Sequence, residues 1–335
     1  MRSDPAPPRA AASSSLALSL SLSFVALGCG TGNYSNEDLE FMSALPERGD
    51  VVASIPTQSA PPSADMAELY LATRGAVDDF NGLVDTFLGL LDAVRSRAPS
   101  SRLPDERIWG PFAADGHPGW DVQMVVDRNV TVGAGAALGY SYRLDFRRSG
   151  TLTQPGTNWV NLLAGSYQAM GGVRKGIGHM DITTQALREA GFDPILGRLQ
   201  AMHVDYDTSH FPVTVTSTVT NVVTIAQTDV TQLGHYDYGV QSDGRAKLAY
   251  DRWVEAVEGP NGMEKLSVTS AWLGTGEGRA DATIVEGDGA GGQQTECWNQ
   301  QFRPVYNAKP WAEAEDIPSA PPGEPALFCP LIQAL

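Results

Sequence analysis

Alternation of apolar and polar residues dominates the sequence after residue 100. In the clearest example, large apolar side chains occupy every second position at Tyr140, Tyr142, Leu144 and Phe146. Successive side chains of a strand point to opposite faces, so this pattern is typical of a half-buried strand. Similar segments follow one another with tight turns between them, among them Asp243-Gly244. The pattern predicts an antiparallel β meander over residues 107–306.

A period of three to four residues precedes these strands. Apolar residues recur at that spacing from Met66 to Val94, which predicts one long amphipathic helix over residues 63–98. Gly75, Gly82 and Gly89 lie beside the apolar stripe, and each costs about 1 kcal/mol relative to alanine in a helix interior. We expect either close packing of the stripe on the protein's own sheet or a break in the helix at one of these glycines. An exposed helix that binds a partner or forms a coiled coil is the alternative to packing on the sheet.

Together these patterns predict a single α+β domain over residues 63–308. A long helix that lies against a curved sheet or open barrel would bury both apolar surfaces. Residues 29–62 are polar and acidic, contain several prolines and show no sustained periodicity, so they are predicted to form a flexible tether. Residues 309–335 are predicted to form a Pro-rich tail.

The N-terminus has the three parts of a secretory signal. Arg2 and Arg9 supply positive charge, and an uncharged run from Leu16 to Leu27 leads to Gly28-Cys29. Twelve helical residues extend about 18 Å, too short for a hydrocarbon core of about 30 Å. Residues 1–28 are therefore predicted to be a cleaved signal peptide.

The end of this run resembles a lipobox, the motif that lipoprotein signal peptidase cuts: Ala26-Leu27-Gly28-Cys29 places a small residue before the cysteine. The resemblance implies fatty acyl groups on Cys29, palmitate among them, and attachment to a membrane. Gly30 is not the aspartate that usually retains lipoproteins in the inner membrane. The resemblance therefore implies the outer membrane, with the body on its periplasmic face or at the cell surface.

Two further segments are similar to predicted outer-membrane lipoproteins of unknown function from myxobacteria and related Gram-negative bacteria. They are the stretch from Asn33 to Phe41 and the closing stretch around Gly278 to Ala282 and Glu296 to Trp298. They cover a small part of the chain, and the group implies a location without an activity.

The chain contains three cysteines, Cys29, Cys297 and Cys329. If Cys29 is acylated, the other two remain as one pair in an oxidising compartment, where a disulfide would link the tail to the body. Two unpaired buried thiols are the alternative.

Charge and motifs exclude several function classes. The formal net charge of −16 repels a phosphate backbone, so nucleic-acid binding is not expected. The glycine-rich segment 274–278 lacks the lysine of a phosphate loop, and no serine-hydrolase elbow is present. No cofactor is predicted.

Three histidines precede an aspartate by two residues. Positions two apart share one face of a strand, so each pair can present an imidazole together with a carboxylate. If the strands are neighbours, the pairs could form a metal site or an acid-base group. Ordinary polar contacts on a solvated face are the alternative. The residues concerned are His179, Asp181, His203, Asp205, His235 and Asp237.

These observations leave two hypotheses for function. The first is a non-enzymatic envelope lipoprotein whose β domain binds a hydrophobic small molecule, a lipid or a protein partner; its predicted architecture is similar to that of the outer-membrane lipoprotein carriers of the LolA and LolB type. The second is a metal-assisted or acid-base hydrolase that uses the His-x-Asp pairs. We favour the first hypothesis, because no complete catalytic motif is present.

Overall fold

The computed structural model of this chain describes residues 34–57, 65–130, 138–150, 158–172, 174–192, 197–225, 228–255, 263–309 and 329. Cys29 and the predicted signal peptide lie outside these residues. Among the described residues, no helix is both long and apolar enough to cross a membrane.

Two short helices, α1 (Asn36–Ser43) and α2 (Arg48–Val51), lie within the segment predicted to be a flexible tether. Ser35 and Asp38 form a reciprocal capping box that begins α1. Phe41 and Leu45 are fully buried in the main core. The tether prediction is therefore wrong for residues 34–57. This segment is mostly polar, but its few large apolar residues pack against the sheet. Its acidic Asp38 is also buried, where it forms an ion pair with the buried Arg107.

The long helix α3 (Glu68–Arg95) follows. One face, from Leu69 to Val94 at helical spacing, is buried. The helix continues through Gly75, Gly82 and Gly89, and a Cβ added at any of them would meet no neighbour within 4 Å. The stripe packs on the protein's own sheet, as expected, and the helix does not break. The glycines themselves lie beside this stripe in open space, so they are not needed for a close approach of helix and sheet.

Within the part of the chain that the structure describes, fourteen strands form one antiparallel sheet in strict chain order. This result confirms the predicted antiparallel meander, although the sheet extends beyond 107–306 at both ends. A short helix, α4 (Gln185–Glu189), lies between the sixth and seventh strands. The strands are β1 (Ser101–Leu103), β2 (Glu106–Ala113), β3 (Trp120–Val130), β4 (Leu138–Arg148), β5 (Val160–Gly172), β6 (Lys175–Thr183), β7 (Leu199–Asp207), β8 (Val213–Ile225), β9 (Thr228–Val240), β10 (Ala246–Glu255), β11 (Met263–Trp272), β12 (Gly278–Glu286), β13 (Gln293–Trp298) and β14 (Pro304–Ala308).

The sheet is open, with β1 and β14 as its two edges. It curves around α3, because this helix contacts β2 and β3 near one edge and β10 to β13 near the other. The helix α1 contacts β3 and α2 contacts β7, so both lie on the same concave side. The helices and the inward side chains of the strands form one continuous hydrophobic core.

Tyrosine rings lie directly over glycines of neighbouring strands on this concave face. A Cβ on Gly178 would lie 2.2 Å from Cζ of Tyr206, and one on Gly165 would lie 2.5 Å from Cζ of Tyr142. Gly178 is paired in register with Tyr206, and Gly165 with Tyr142. The absence of a side chain on each glycine therefore makes room for a large ring within a curved sheet.

Candidate functional site

The concave face contains a cavity of about 450 Å³ between the first half of α3 and strands β10 to β13. This volume lies within the range of about 300–1,000 Å³ that is usual for small-molecule sites. Its walls are mainly apolar; of the four charged side chains that line it, Glu264 is buried and the other three are exposed or half-exposed. The lining residues are Glu68, Leu69, Leu71, Ala72, Tyr250, Arg252, Val254, Glu264, Leu266, Val268, Ala282, Ile284, Gln294 and Lys309.

The helical wall of this cavity is held in place by β13. No side chain of its own segment caps α3 at Ala67, but the carboxylate of Glu296 accepts a hydrogen bond from the backbone N–H of Leu69 at 2.5 Å. Glu296 is buried, and burial raises its pKa to about 7. The ring of Tyr70 stacks on that of Phe302, with centroids 4.3 Å apart. The start of α3 is thus fixed to the end of the sheet.

Polar side chains lie beside the cavity at the point where strands β9 and β10 separate. The ladder between these strands begins at Val240 and Ala246 and ends at Tyr236 and Tyr250, although both strands continue beyond that pair.

Arg252 lies just past the separation, on the inward face of β10. Burial raises the pKa of Asp79 on α3, and the positive charge of nearby Arg252 partly opposes this rise. Burial also raises the pKa of Tyr236 and that of Tyr250 to about 12, so both phenols remain neutral donors at neutral pH.

A smaller cavity of about 110 Å³ lies at the other end of α3, against β2 to β5. Phe87, Phe112, Phe146 and Phe192 contribute aromatic walls. At its mouth Arg97 lies over the ring of Phe112, 4.6 Å from the centroid, and is 3.4 Å from Asp115. The charges at this mouth therefore compensate each other.

The outer, convex face carries the predicted His-x-Asp residues. His203 Nδ1 lies 2.6 Å from Asp181 Oδ1, and its Nε2 lies 2.8 Å from Asp205 Oδ2. The hydrogen bond with Asp181 is the main cause that raises the pKa of His203. The ring of His179 stands 6.1 Å from that of His203.

His235 and Asp237 do not join this cluster. Thr218 of β8 is paired with His203 on one side and with His235 on the other, so His235 is two strand spacings, about 10 Å, from His203. Both ring nitrogens of His203 face carboxylates, which favours an ion-paired imidazolium over a neutral metal ligand. Within the described residues, no group of three or more His, Cys, Asp or Glu side chains is arranged to hold a metal ion.

The same surface contains a contact that resembles part of a hydrolase site. Ser166 Oγ lies 2.9 Å from His179 Nδ1, and His179 Nε2 is 3.7 Å from Asp181. Acyl transfer also needs free donors for the developing oxyanion. These residues lie on β5 and β6, which are interior strands whose backbone groups are committed to ladders on both sides. The backbone N–H groups of these two strands are therefore not free to stabilise an oxyanion beside Ser166.

The disulfide prediction is confirmed: Cys297 of β13 is bonded to Cys329, with Cα atoms 5.3 Å apart. Sequence reasoning missed Asp79, Arg252 and Glu296. A signal was present for Arg252, which interrupts the inward apolar series Leu248, Tyr250, Val254 of a strand. Glu296 gave no such signal, because its partner lies 227 residues away. No family model, no curated protein and no solved structure matches this chain.

Proposed function

We propose that this chain is a membrane-anchored lipoprotein of the cell envelope whose β domain binds a hydrophobic ligand on the concave face of its sheet. The anchor rests on the lipobox-like sequence at Cys29. The proposed ligand binding rests on the cavity between α3 and strands β10 to β13.

The shape and composition of this cavity favour a ligand with a flexible apolar chain. Leu71, Leu266 and Ile284 give it apolar walls from a helix and two strands. Each methylene group removed from water contributes about 0.8 kcal/mol, so eight buried methylenes would contribute about 6 kcal/mol. Three of the four charged lining residues, Glu68, Arg252 and Lys309, are exposed or half-exposed, so a polar end of the ligand beside them would remain in contact with water.

Binding of 1-dodecanol and dodecanoate to the purified full-length protein, measured by equilibrium dialysis, tests the cavity. Leu266→Trp fills it from a half-buried position, and we expect at least tenfold weaker binding of both probes. Thr269→Trp, on the exposed face of the same strand, is the matched control and should bind normally. Equal binding by both variants, or no binding by the wild type, would rule out this ligand site.

The anchor has a separate test. The intact mass of protein purified from membranes should show a chain that begins at Cys29 and carries acyl groups. A water-soluble product with an unmodified N-terminus would contradict the location and leave the binding proposal standing.

A further inference from the structure

The separation of β9 and β10 leaves an opening in the sheet beside the large cavity. Past Tyr236 and Tyr250, β9 remains paired with β8, and β10 remains paired with β11, but no pair joins β9 to β10. The strand edges that face each other across this opening are not joined by a ladder, although both are described. Leu233, on the outer face of β9 at this point, is 54% exposed.

Three polar side chains border the opening on its inward side. The phenol of Tyr236 and the guanidinium of Arg252 come from the two separating strands. Gln232 lies four residues before Tyr236 on the same face of β9, and its Nε2 is buried with no hydrogen-bond partner among the described residues. All three are hydrogen-bond donors. Arg252 is exposed, whereas a buried donor without a partner, such as Gln232 Nε2, is uncommon in folded proteins.

The charged side chains that line the cavity differ in how they are compensated. Lys309 Nζ lies 3.3 Å from Glu68, and Glu264 accepts a hydrogen bond at 2.9 Å from the backbone N–H of Gly289. Arg252 forms no ion pair with any residue that the structure describes; Asp79 acts on it only at longer range. A guanidinium carries five N–H donors in a planar fork that fits a carboxylate, and Asp79 leaves this fork open to a ligand.

We propose that the cavity binds a single-chain amphiphile with a carboxylate head, such as a fatty acid, and that the ligand enters between β9 and β10. The carboxylate lies against Arg252 with Tyr236 and Gln232 as further donors, and the chain extends past Val254 and Leu266 under α3. This inference rests on the proposed function and adds the chemical class of the ligand and its route.

A comparison of two probes of equal length separates the two proposals. Equilibrium dialysis of the full-length protein should show at least tenfold tighter binding of dodecanoate than of 1-dodecanol. In Arg252→Met this preference should disappear while 1-dodecanol still binds, since methionine keeps an apolar stem. Lys247 is exposed on the other face of β10. Lys247→Met removes the same charge and should keep the preference for dodecanoate over 1-dodecanol.

The possible results have distinct meanings. Equal binding of both probes by the wild-type protein would overturn the carboxylate head and leave the hydrophobic cavity in place. An unchanged preference in Arg252→Met would overturn the role of Arg252. Failure of both probes to bind would overturn the proposed function together with this inference.

Discussion

Glu296 caps the helix α3 from the far end of the sheet: its carboxylate accepts a hydrogen bond at 2.5 Å from the backbone N–H of Leu69. Helix N-termini expose N–H groups that need acceptors, and a negative charge there is favourable. Burial acts in the opposite direction and raises the pKa of Glu296 to about 7. The link between helix and sheet therefore depends on pH.

Glu296→Gln should change how stability depends on pH. Because Glu296 accepts a proton more readily in the folded chain, its contribution is complete below pH 4.5 and is lost as the pH rises through 7. From pH 4.5 to 7 the wild type should lose up to about 3 kcal/mol in free energy of unfolding relative to Glu296→Gln. Urea titrations at both pH values measure this, and exposed Glu286→Gln is the control. Parallel pH profiles of the wild type and Glu296→Gln would contradict the prediction.

Gly82→Ala and Gly89→Ala should stabilise the protein. Both positions are exposed, and an added Cβ meets no neighbour within 4 Å. Alanine is favoured over glycine in a helix interior by about 1 kcal/mol. Thermal unfolding followed by circular dichroism should show a higher Tm for each variant. A lower Tm would indicate that these glycines contact something outside the described residues.

Gly178→Ala should destabilise the protein by about 1–3 kcal/mol, the usual cost of excess volume in a packed core. The new methyl group would lie 2.2 Å from Cζ of Tyr206 and displace that ring. Gly197→Ala, where the added atom has open space, is the control for a general effect of alanine. Chemical denaturation of both variants measures the difference, and equal stability would show that Tyr206 is free to move aside.

Asp38→Asn should cost about 1.5–3 kcal/mol, because the buried Arg107 loses one of its two carboxylate partners and keeps only Glu37, whose Oε2 lies 2.6 Å from Nη2. Arg107 Nε lies 2.9 Å from Asp38, and both side chains are almost fully buried. Asp85→Asn breaks an exposed pair with Arg48 and should cost less than about 1 kcal/mol. Equal losses would mean that residues 34–57 contribute little to the folded domain.

His203 should titrate above pH 6.5, because hydrogen bonds to Asp181 and Asp205 stabilise its protonated form. Its contribution to stability is complete below the unfolded pKa and is lost as the pH rises through the folded value. NMR titration of the imidazole protons measures this pKa directly. Asp181→Asn should lower it, whereas Asp237→Asn, near His235, should leave it unchanged. If Asp181→Asn leaves the pKa of His203 unchanged, the hydrogen bond to Asp181 is not what raises that pKa.

The sequence predicts the antiparallel meander because alternation is a local property of each strand, visible in segments such as Tyr140 to Phe146. It also predicts the bond between Cys297 and Cys329, since few cysteines are present. Burial of α1 could not be predicted, because it depends on the contact of Asp38 with Arg107, which lies 69 residues further along the chain.

The candidate site was less accessible to sequence reasoning for a similar reason. The His-x-Asp repeat is conspicuous in the sequence, yet register places His235 two strands from His203. The cavity, in contrast, requires α3 to cross strands that are more than 150 positions away along the chain. The separation of β9 and β10 depends on where the ladder between the two strands ends. The residue pattern of either strand alone does not indicate this point.

The strict chain order of the strands has a consequence for how such a protein can vary. Since every strand pairs only with its neighbours in sequence, removal or duplication of one hairpin would preserve all other ladders and the direction of every remaining strand. The span of the sheet around α3 would change by two strand widths, about 10 Å. A fold of this kind can therefore vary the width of its interior through the number of its hairpins, without a new topology.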